Sequence, residues 1–281
     1  MSIRLFILKI RHNMKYQFIF SFIVKYTVAL LISSLFLNTA VLAKTIDLNT
    51  PEGIQRLERT KYKNDFFSLI QQFEGQENKV YCGIASATIV VNALRVKKKG
   101  NQIKPDSTRI SLDEQIYFPK NKNWTPFWNR YTQESVVNLS PKAKINIFGK
   151  PMTENGLQDY GLNLNDEKRL LTALDLQVKK VHVTSLNNIA KMKKQIINSI
   201  NDSDSYVIIN YLRTSLGQSS GGHFSPLAAW DKSSDSFLIM DVSNTKYNWV
   251  WVNSLDLFRA MNTSDNNNWR GYLIVKEHNH S

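Results

Sequence analysis

The chain has 281 residues, 42% of them hydrophobic, with 36 Lys+Arg against 23 Asp+Glu and a formal net charge of +13. That is enough apolar sequence to bury a sizeable core, which excludes a disordered chain, and the length does not force a split into two domains. The single cysteine, Cys82, excludes an internal disulfide, and the absence of CxxC, His/Cys clusters and HExxH argues against a structural or catalytic zinc site.

The first 43 residues carry Arg4, Lys9, Arg11, Lys15 and Lys25 and no acid, and Tyr26–Ala43 then runs for 18 uncharged residues to Val41-Leu42-Ala43. A basic start, an apolar run and a small-residue end predict an export signal over 1–43, with Met14 as an alternative start. The competing reading is an uncleaved anchor, since 18 residues is the lower limit for a span, although Ser33, Ser34, Asn38 and Thr39 dilute the run. Cleavage leaves 44–281 as one catalytic domain of net charge +8, periplasmic or secreted, with no stable membrane association. The clusters Lys97-Lys98-Lys99 and Lys120-Asn121-Lys122 lack a recognition motif and read as solvated charge, so no nucleic-acid partner is expected.

Thr50-Pro51-Glu52 supplies an N-cap, a first-turn proline and a first-turn acid for a short helix through Ile54 and Leu57. A second helix is expected around Asp65–Phe73, ahead of the loop Gln76–Cys82. The run Ile84, Ala85, Ala87, Ile89, Val90, Val91, Ala93, Leu94 is apolar nearly all round, which predicts a buried helix starting near Cys82. Residues 95–150 are rich in Lys, Asn, Pro and Trp and read as loop-rich, with short helices at Leu112–Tyr117 and Gln133–Leu139. Helical spacing of apolar residues marks Asn165–Leu174 and Leu186–Ile200.

After Asn201-Asp202-Ser203-Asp204 the period changes from helix to strand. Tyr206–Leu212, His223–Trp230, Ser236–Val242, Trp249–Val252 and Tyr272–Val275 read as strands, with a helix from Ser254 to about Met261 between the last two. Helices first and a mostly antiparallel sheet afterwards define the α+β class.

The chemistry centres on Cys82. Unpaired N–H groups and the positive dipole end of a helix beginning there favour a thiolate. A thiol nucleophile needs a base, and beyond the export segment the chain offers His182, His223, His278 and His280. The last two fall at the terminus and His182 alternates with valines as a polar-face strand residue, whereas His223 opens a strand after the flexible run Gly217–Gly222. Asp241, ending the apolar strand FLIM, pairs with the His223 strand through a tight hairpin and suits the role of orienting the imidazole; the alternative is a strand-end cap on the turn Ser243-Asn244. Cys82 and His223 lie 141 residues apart, a separation found in papain-like enzymes. Gln76, six residues ahead of Cys82, suits an oxyanion hole completed by the Cys82 backbone N–H.

With Gln76, VYCGIASATIVVNAL, NYLRTSLGQSSGGHFSPLAAW, LIMDVSNTKYNWVWV and AMNT in view, the chain resembles phytochelatin synthases over about Gln76–Val275, most densely from Tyr206 to Thr263. The resemblance implies a papain-like fold, a Cys82, His223, Asp241 triad with Gln76 as oxyanion donor, and glutathione as substrate, its γ-Glu-Cys moiety passing to Cys82 as glycine leaves. It also implies substrate contacts at Arg213, Arg270 and Gly222. No cofactor is implied for acyl-enzyme formation, and heavy metal ions (Cd, Zn) enter as metal-glutathione co-substrates. A homodimer is among the admissible states. The chain lacks the cysteine-rich C-terminal region of plant members, as short bacterial forms do, and these resemble glutathione hydrolases as much as polymer-making synthases. Two rival readings stay open: a general exported cysteine peptidase with the same triad, and a non-catalytic thiol or metal-binding module.

Overall fold

The computed structural model describes residues 43–96, 103, 106, 110–119, 125–149 and 160–278, and Ala43–Ser281 forms one compact unit. The expected export segment, the two lysine clusters, His280 and much of the stretch between Arg95 and Trp128 lie outside the described residues. Among the described residues no helix is long and apolar enough to cross a membrane.

The elements follow in order as β1 (Ile46–Asp47), α1 (Pro51–Arg59), α2 (Asn64–Ile70), α3 (Cys82–Arg95), α4 (Leu112–Gln115), α5 (Gln133–Asn138), α6 (Lys144–Ile147) and α7 (Leu164–Ala173). They continue as β2 (Leu176–His182), α8 (Ile189–Ile200), β3 (Ser205–Leu212), β4 (Gly222–Asp231), β5 (Ser236–Ile239), β6 (Val250–Asn253), α9 (Ser254–Met261), β7 (Ser264–Asp265), β8 (Asn268–Trp269) and β9 (Gly271–Glu277). Seven strands form one sheet in the order β1-β6-β5-β4-β3-β9-β2, every neighbouring pair antiparallel. The α+β class read from the sequence is the class observed.

Local chemistry accounts for the element starts. Thr50 Oγ1 accepts from Gly53 N at 3.1 Å with Pro51 in the first turn, and Asn163 caps α7 by accepting from Asn165 N and Asp166 N. The hairpin between β4 and β5 closes over the turn after Asp231, where Asp235 adopts a positive φ of 46°. The sequence pattern does not mark β2 or the two-residue strands β1, β7 and β8. β2 is an edge strand that buries Leu176 and carries Gln177, Lys179 and Lys180, so it lacks a continuous apolar signal.

The sheet is covered on both faces, which is why β3 is buried without a break from Ser205 to Tyr211. Tyr206, Ile208, Phe224, Ala228, Leu238, Met240, Trp251 and Leu273 pack with α3, α5 and α7, while Val207, Ile209, Tyr211, Phe237, Val252 and Tyr272 pack with α8 and α9. Helix α3 lies in the first of these layers, with Gly83 to Asn92 entirely buried. Burying an aliphatic side chain contributes about 1.5–3 kcal/mol, so the five fully covered residues Ile84, Ile89, Val90, Val91 and Leu94 anchor this helix against the sheet.

Candidate active site

Helix α3 begins at Cys82, and its N-cap residue Tyr81 provides no side-chain hydrogen bond. The first-turn N–H groups and the positive dipole end are therefore left uncapped by any N-cap side chain at the thiol. Cys82 is half-buried and reduced. The register of β3 against β4 pairs Tyr211 with His223, and pairing of β4 with β5 starts only at Leu227. Beyond Ile239 the chain leaves the β5 ladder, Met240 N still donating to Pro226 O at 3.0 Å, and Asp241 reaches the imidazole.

His223 Nε2 lies 3.0 Å from Asp241 Oδ1, and the imidazole and the Cys82 thiol interact electrostatically, each shifting the other's titration. Tyr211 stacks edge-on against the ring at 5.7 Å and donates from its hydroxyl to Asp241 Oδ2 at 3.4 Å. The structure thus brings Cys82, His223 and Asp241 together, with a hydrogen bond between the last two.

Electrostatics polarise that chain. Burial pushes the Cys82 thiol up, but the His223 charge and hydrogen bond, the Phe224 backbone and the Arg213 charge outweigh it and hold the thiol below its ordinary range. Burial pushes His223 down, and the Cys82 charge with the Asp241 hydrogen bond reverses this to leave it raised. Asp241 is buried too, yet His223 and Arg213 hold it well below the usual carboxylate range. These directions favour the thiolate–imidazolium form of the Cys82 and His223 pair beside the Asp241 carboxylate.

Gln76 is fixed from three sides. Its backbone N donates to Val242 O at 2.8 Å, and its Nε2 donates to Asn78 O at 2.7 Å. Gln133, a residue the sequence reading did not single out, accepts from Glu77 N at 3.0 Å and donates to Gly75 O at 2.8 Å. One amide hydrogen of Gln76 is used in orienting the side chain, and a primary amide carries a second.

Arg213, which the resemblance implies as a substrate contact, is paired with Asp241 in this structure. Its Nη1 and Nη2 donate to Asp241 Oδ2 and Oδ1 at 2.7 and 2.8 Å, Nη1 also reaches Gln218 Oε1 at 2.7 Å, and the guanidinium lies 4.2 Å from the Tyr247 ring centroid. Only 3% of that side chain is exposed, and its guanidinium braces the acid. Arg270 is the contrasting case. It is buried, donates to Thr263 Oγ1 at 3.1 Å, and has as its carboxylate partner the exposed Asp265 at 3.4 Å. A Cβ at Gly222 would lie 2.9 Å from Arg270 Nη2, so the glycine before the base gives this guanidinium room.

His182 stands elsewhere, at the end of β2, with Nδ1 2.7 Å from Trp269 O. Among the described residues no three His, Cys, Asp or Glu side chains cluster to hold a metal ion. Glu167 also went unread; it lies fully buried against Gly83, with a carboxyl oxygen where a Cβ at that glycine would need to be.

The chain matches the family model described as phytochelatin synthase over residues 36–109 and 107–272. It is 26% identical over 245 residues to glutathione gamma-glutamylcysteinyltransferase 3 of Lotus japonicus, across 83% of this chain and 42% of that protein. Similarity to glutathione gamma-glutamylcysteinyltransferase 1 of Arabidopsis thaliana is 24% over 248 residues, across 86% and 44% respectively. The Schizosaccharomyces pombe glutathione gamma-glutamylcysteinyltransferase is 24% identical over 225 residues, across 79% and 46%. The chain therefore spans less than half the length of these relatives.

Proposed function

This chain belongs to the phytochelatin synthase family, and from that premise we propose that it is a papain-like thiol acyltransferase acting on glutathione. The grouping of Cys82 with His223, and of His223 with Asp241 at 3.0 Å, carries this reading. The Cys82 thiolate attacks the carbonyl carbon of the Cys-Gly peptide bond, and the oxygen takes up the negative charge. The second Nε2 hydrogen of Gln76 and the Cys82 backbone N–H stabilise that oxyanion. The His223 imidazolium passes its proton to the departing glycine nitrogen as the C–N bond breaks, leaving γ-Glu-Cys as a thioester on Cys82.

The acyl-enzyme then meets one of two nucleophiles. Water yields free γ-Glu-Cys, and the amine of a second glutathione yields a phytochelatin. Neutral His223 takes the proton from either. Protein groups alone serve the first half-reaction, while Cd²⁺ or Zn²⁺ enters as the glutathione thiolate, a co-substrate. Arg270, buried with its weak carboxylate partner, has capacity left for a substrate carboxylate, and Gly222 beside it keeps that approach open. Arg213 serves by fixing Asp241. Residues 1–43 direct the chain out of the cytoplasm, and 44–281 act as the catalytic domain.

Mass spectrometry of products formed from glutathione, with and without Cd²⁺, tests the proposal. Glycine and γ-Glu-Cys, with phytochelatin growing as glutathione and metal rise, are expected. Cleavage of unrelated peptides or denatured protein at comparable rates would favour a general peptidase, and full function in Cys82→Ser would favour a non-catalytic thiol module.

A further inference from the structure

Glu167 stands in the first turn of α7 with none of its surface exposed, and neither carboxyl oxygen has a hydrogen-bond partner among the described residues. A Cβ built on Gly83 would lie 2.4 Å from Glu167 Oε2 and 3.1 Å from Leu162 Cδ1. The carboxyl therefore rests against the backbone of the residue that follows the nucleophile. The acyl-transfer steps leave it without a role.

An ionised carboxyl buried without a donor costs several kcal/mol, and a proton on one oxygen removes most of that cost. The ionisable groups acting on it are Cys82 on α3 and, on its own helix, Asp166, which is paired with Lys142 at 3.8 Å and with Arg169. Burial first, then the Cys82 charge, then Asp166 push Glu167 well above the ordinary glutamate range.

Building on the thiol reading, we propose that Glu167 is a positioning residue of this site. It is an uncharged carboxylic acid wedged against Gly83 that sets where the first turn of α3 holds Cys82, and the thiolate requires it to stay uncharged. The requirement follows from reciprocity: in a site of low dielectric, each of two neighbouring anions makes the other harder to form. Loss of the Glu167 proton places a second negative charge behind the thiolate and opposes the charge that develops on the substrate carbonyl oxygen. The alkaline edge of reactivity then has two contributors, the His223 imidazolium and the Glu167 acid.

The test compares the full chain with Glu167→Gln and Glu167→Ala, measuring against pH both alkylation of Cys82 by iodoacetate and glycine release from glutathione. Iodoacetate is anionic, so its rate follows the thiolate–imidazolium pair and falls when negative charge accumulates at the site. Glu167→Gln copies the uncharged acid and is expected to keep neutral-pH rates within about threefold while its alkaline limb moves upward and becomes shallower. Glu167→Ala removes the wedge and is expected to lower both rates about tenfold. Superposition of the Glu167→Gln profile on wild type overturns the proposal, as does Glu167→Ala activity within about twofold of wild type. If Glu167→Ala does not fold, the isosteric variant's profile decides alone. Shifted alkylation without glycine release from glutathione would reject the substrate reading and keep the Glu167 inference; unshifted profiles with normal release would do the reverse.

Discussion

Arg213 and Asp241 form a two-pronged ion pair at 2.7 and 2.8 Å, both side chains buried, and the same carboxylate receives His223 Nε2 and the Ser243 backbone N–H. One anion thus anchors the fold and orients the imidazole. Asp241→Asn is expected to lose both contributions, because an amide orients the ring less well and leaves a buried guanidinium without its counter-charge. Breaking a buried pair from one side costs about 3–5 kcal/mol, which thermal denaturation would register as a fall in Tm alongside slower glycine release. Adding Arg213→Met should restore much of the stability and none of the activity. An Asp241→Asn protein as stable as wild type contradicts the argument.

Cys82→Ala should abolish glycine release while leaving the fold intact, since a half-buried sulfur leaves little cavity behind. His223→Ala should be similarly inactive. Circular dichroism and a glycine assay on the same preparations check both, and turnover near wild type in either variant rules out the thiol mechanism.

For Gln76→Ala the expected change is a loss on the order of 10²–10³ in kcat with a smaller effect on KM, as for other oxyanion donors. Gln133→Ala should produce a milder version of the same kcat loss by freeing the loop from Gly75 to Glu77. A pure KM effect at Gln76 would assign it to substrate binding instead.

The pH profile of kcat/KM should be bell-shaped. Its acid limb lies below the ordinary thiol value, following thiolate formation at Cys82, and its alkaline limb lies above 6.5, following loss of the raised His223 proton. Stability should obey a separate rule at Asp241. Its folded value is depressed, so its contribution is present above 3.8 and is lost only as pH falls toward that depressed value. Thermal melts of wild type and Asp241→Asn across acid pH should converge as the carboxyl is protonated.

The acyl-enzyme should partition mainly to water at low glutathione. Elongation needs a second glutathione held with its amine near the thioester carbonyl, and among the described residues Cys82 is the one thiol able to gather a metal-bound peptide. Product quantification at millimolar glutathione without added metal provides the check, and a predominance of phytochelatin would mean a well-formed acceptor site.

Much of this site could be read in the sequence because its parts lie on strongly patterned elements. The apolar run after Cys82 announced α3, and the hairpin joining β4 to β5 predicted that His223 and Asp241 would be neighbours. The contacts of Arg213, Gln133 and Glu167 were harder to read. Arg213 meets Asp241 across 28 residues and Gln133 meets Glu77 across 56, distances at which spacing carries no geometric information. Glu167 sits in a polar stretch, NLNDEKR, whose pattern suggests a solvated helix start; its burial follows from the packing of α7 beneath α3.

The sheet's topology also bears on when the thiol becomes dangerous. Strand β1 closes onto β6, and Cys82 waits 141 residues for its base and 159 for the acid behind it. During synthesis the sulfur has emerged long before either, and before it reaches its place in the folded chain it is an ordinary thiol, mostly protonated and slow to react. Contacts so distant in sequence form late and together. The lowered thiol is thus a property of the folded chain, because the groups that lower it reach Cys82 only through the closed sheet.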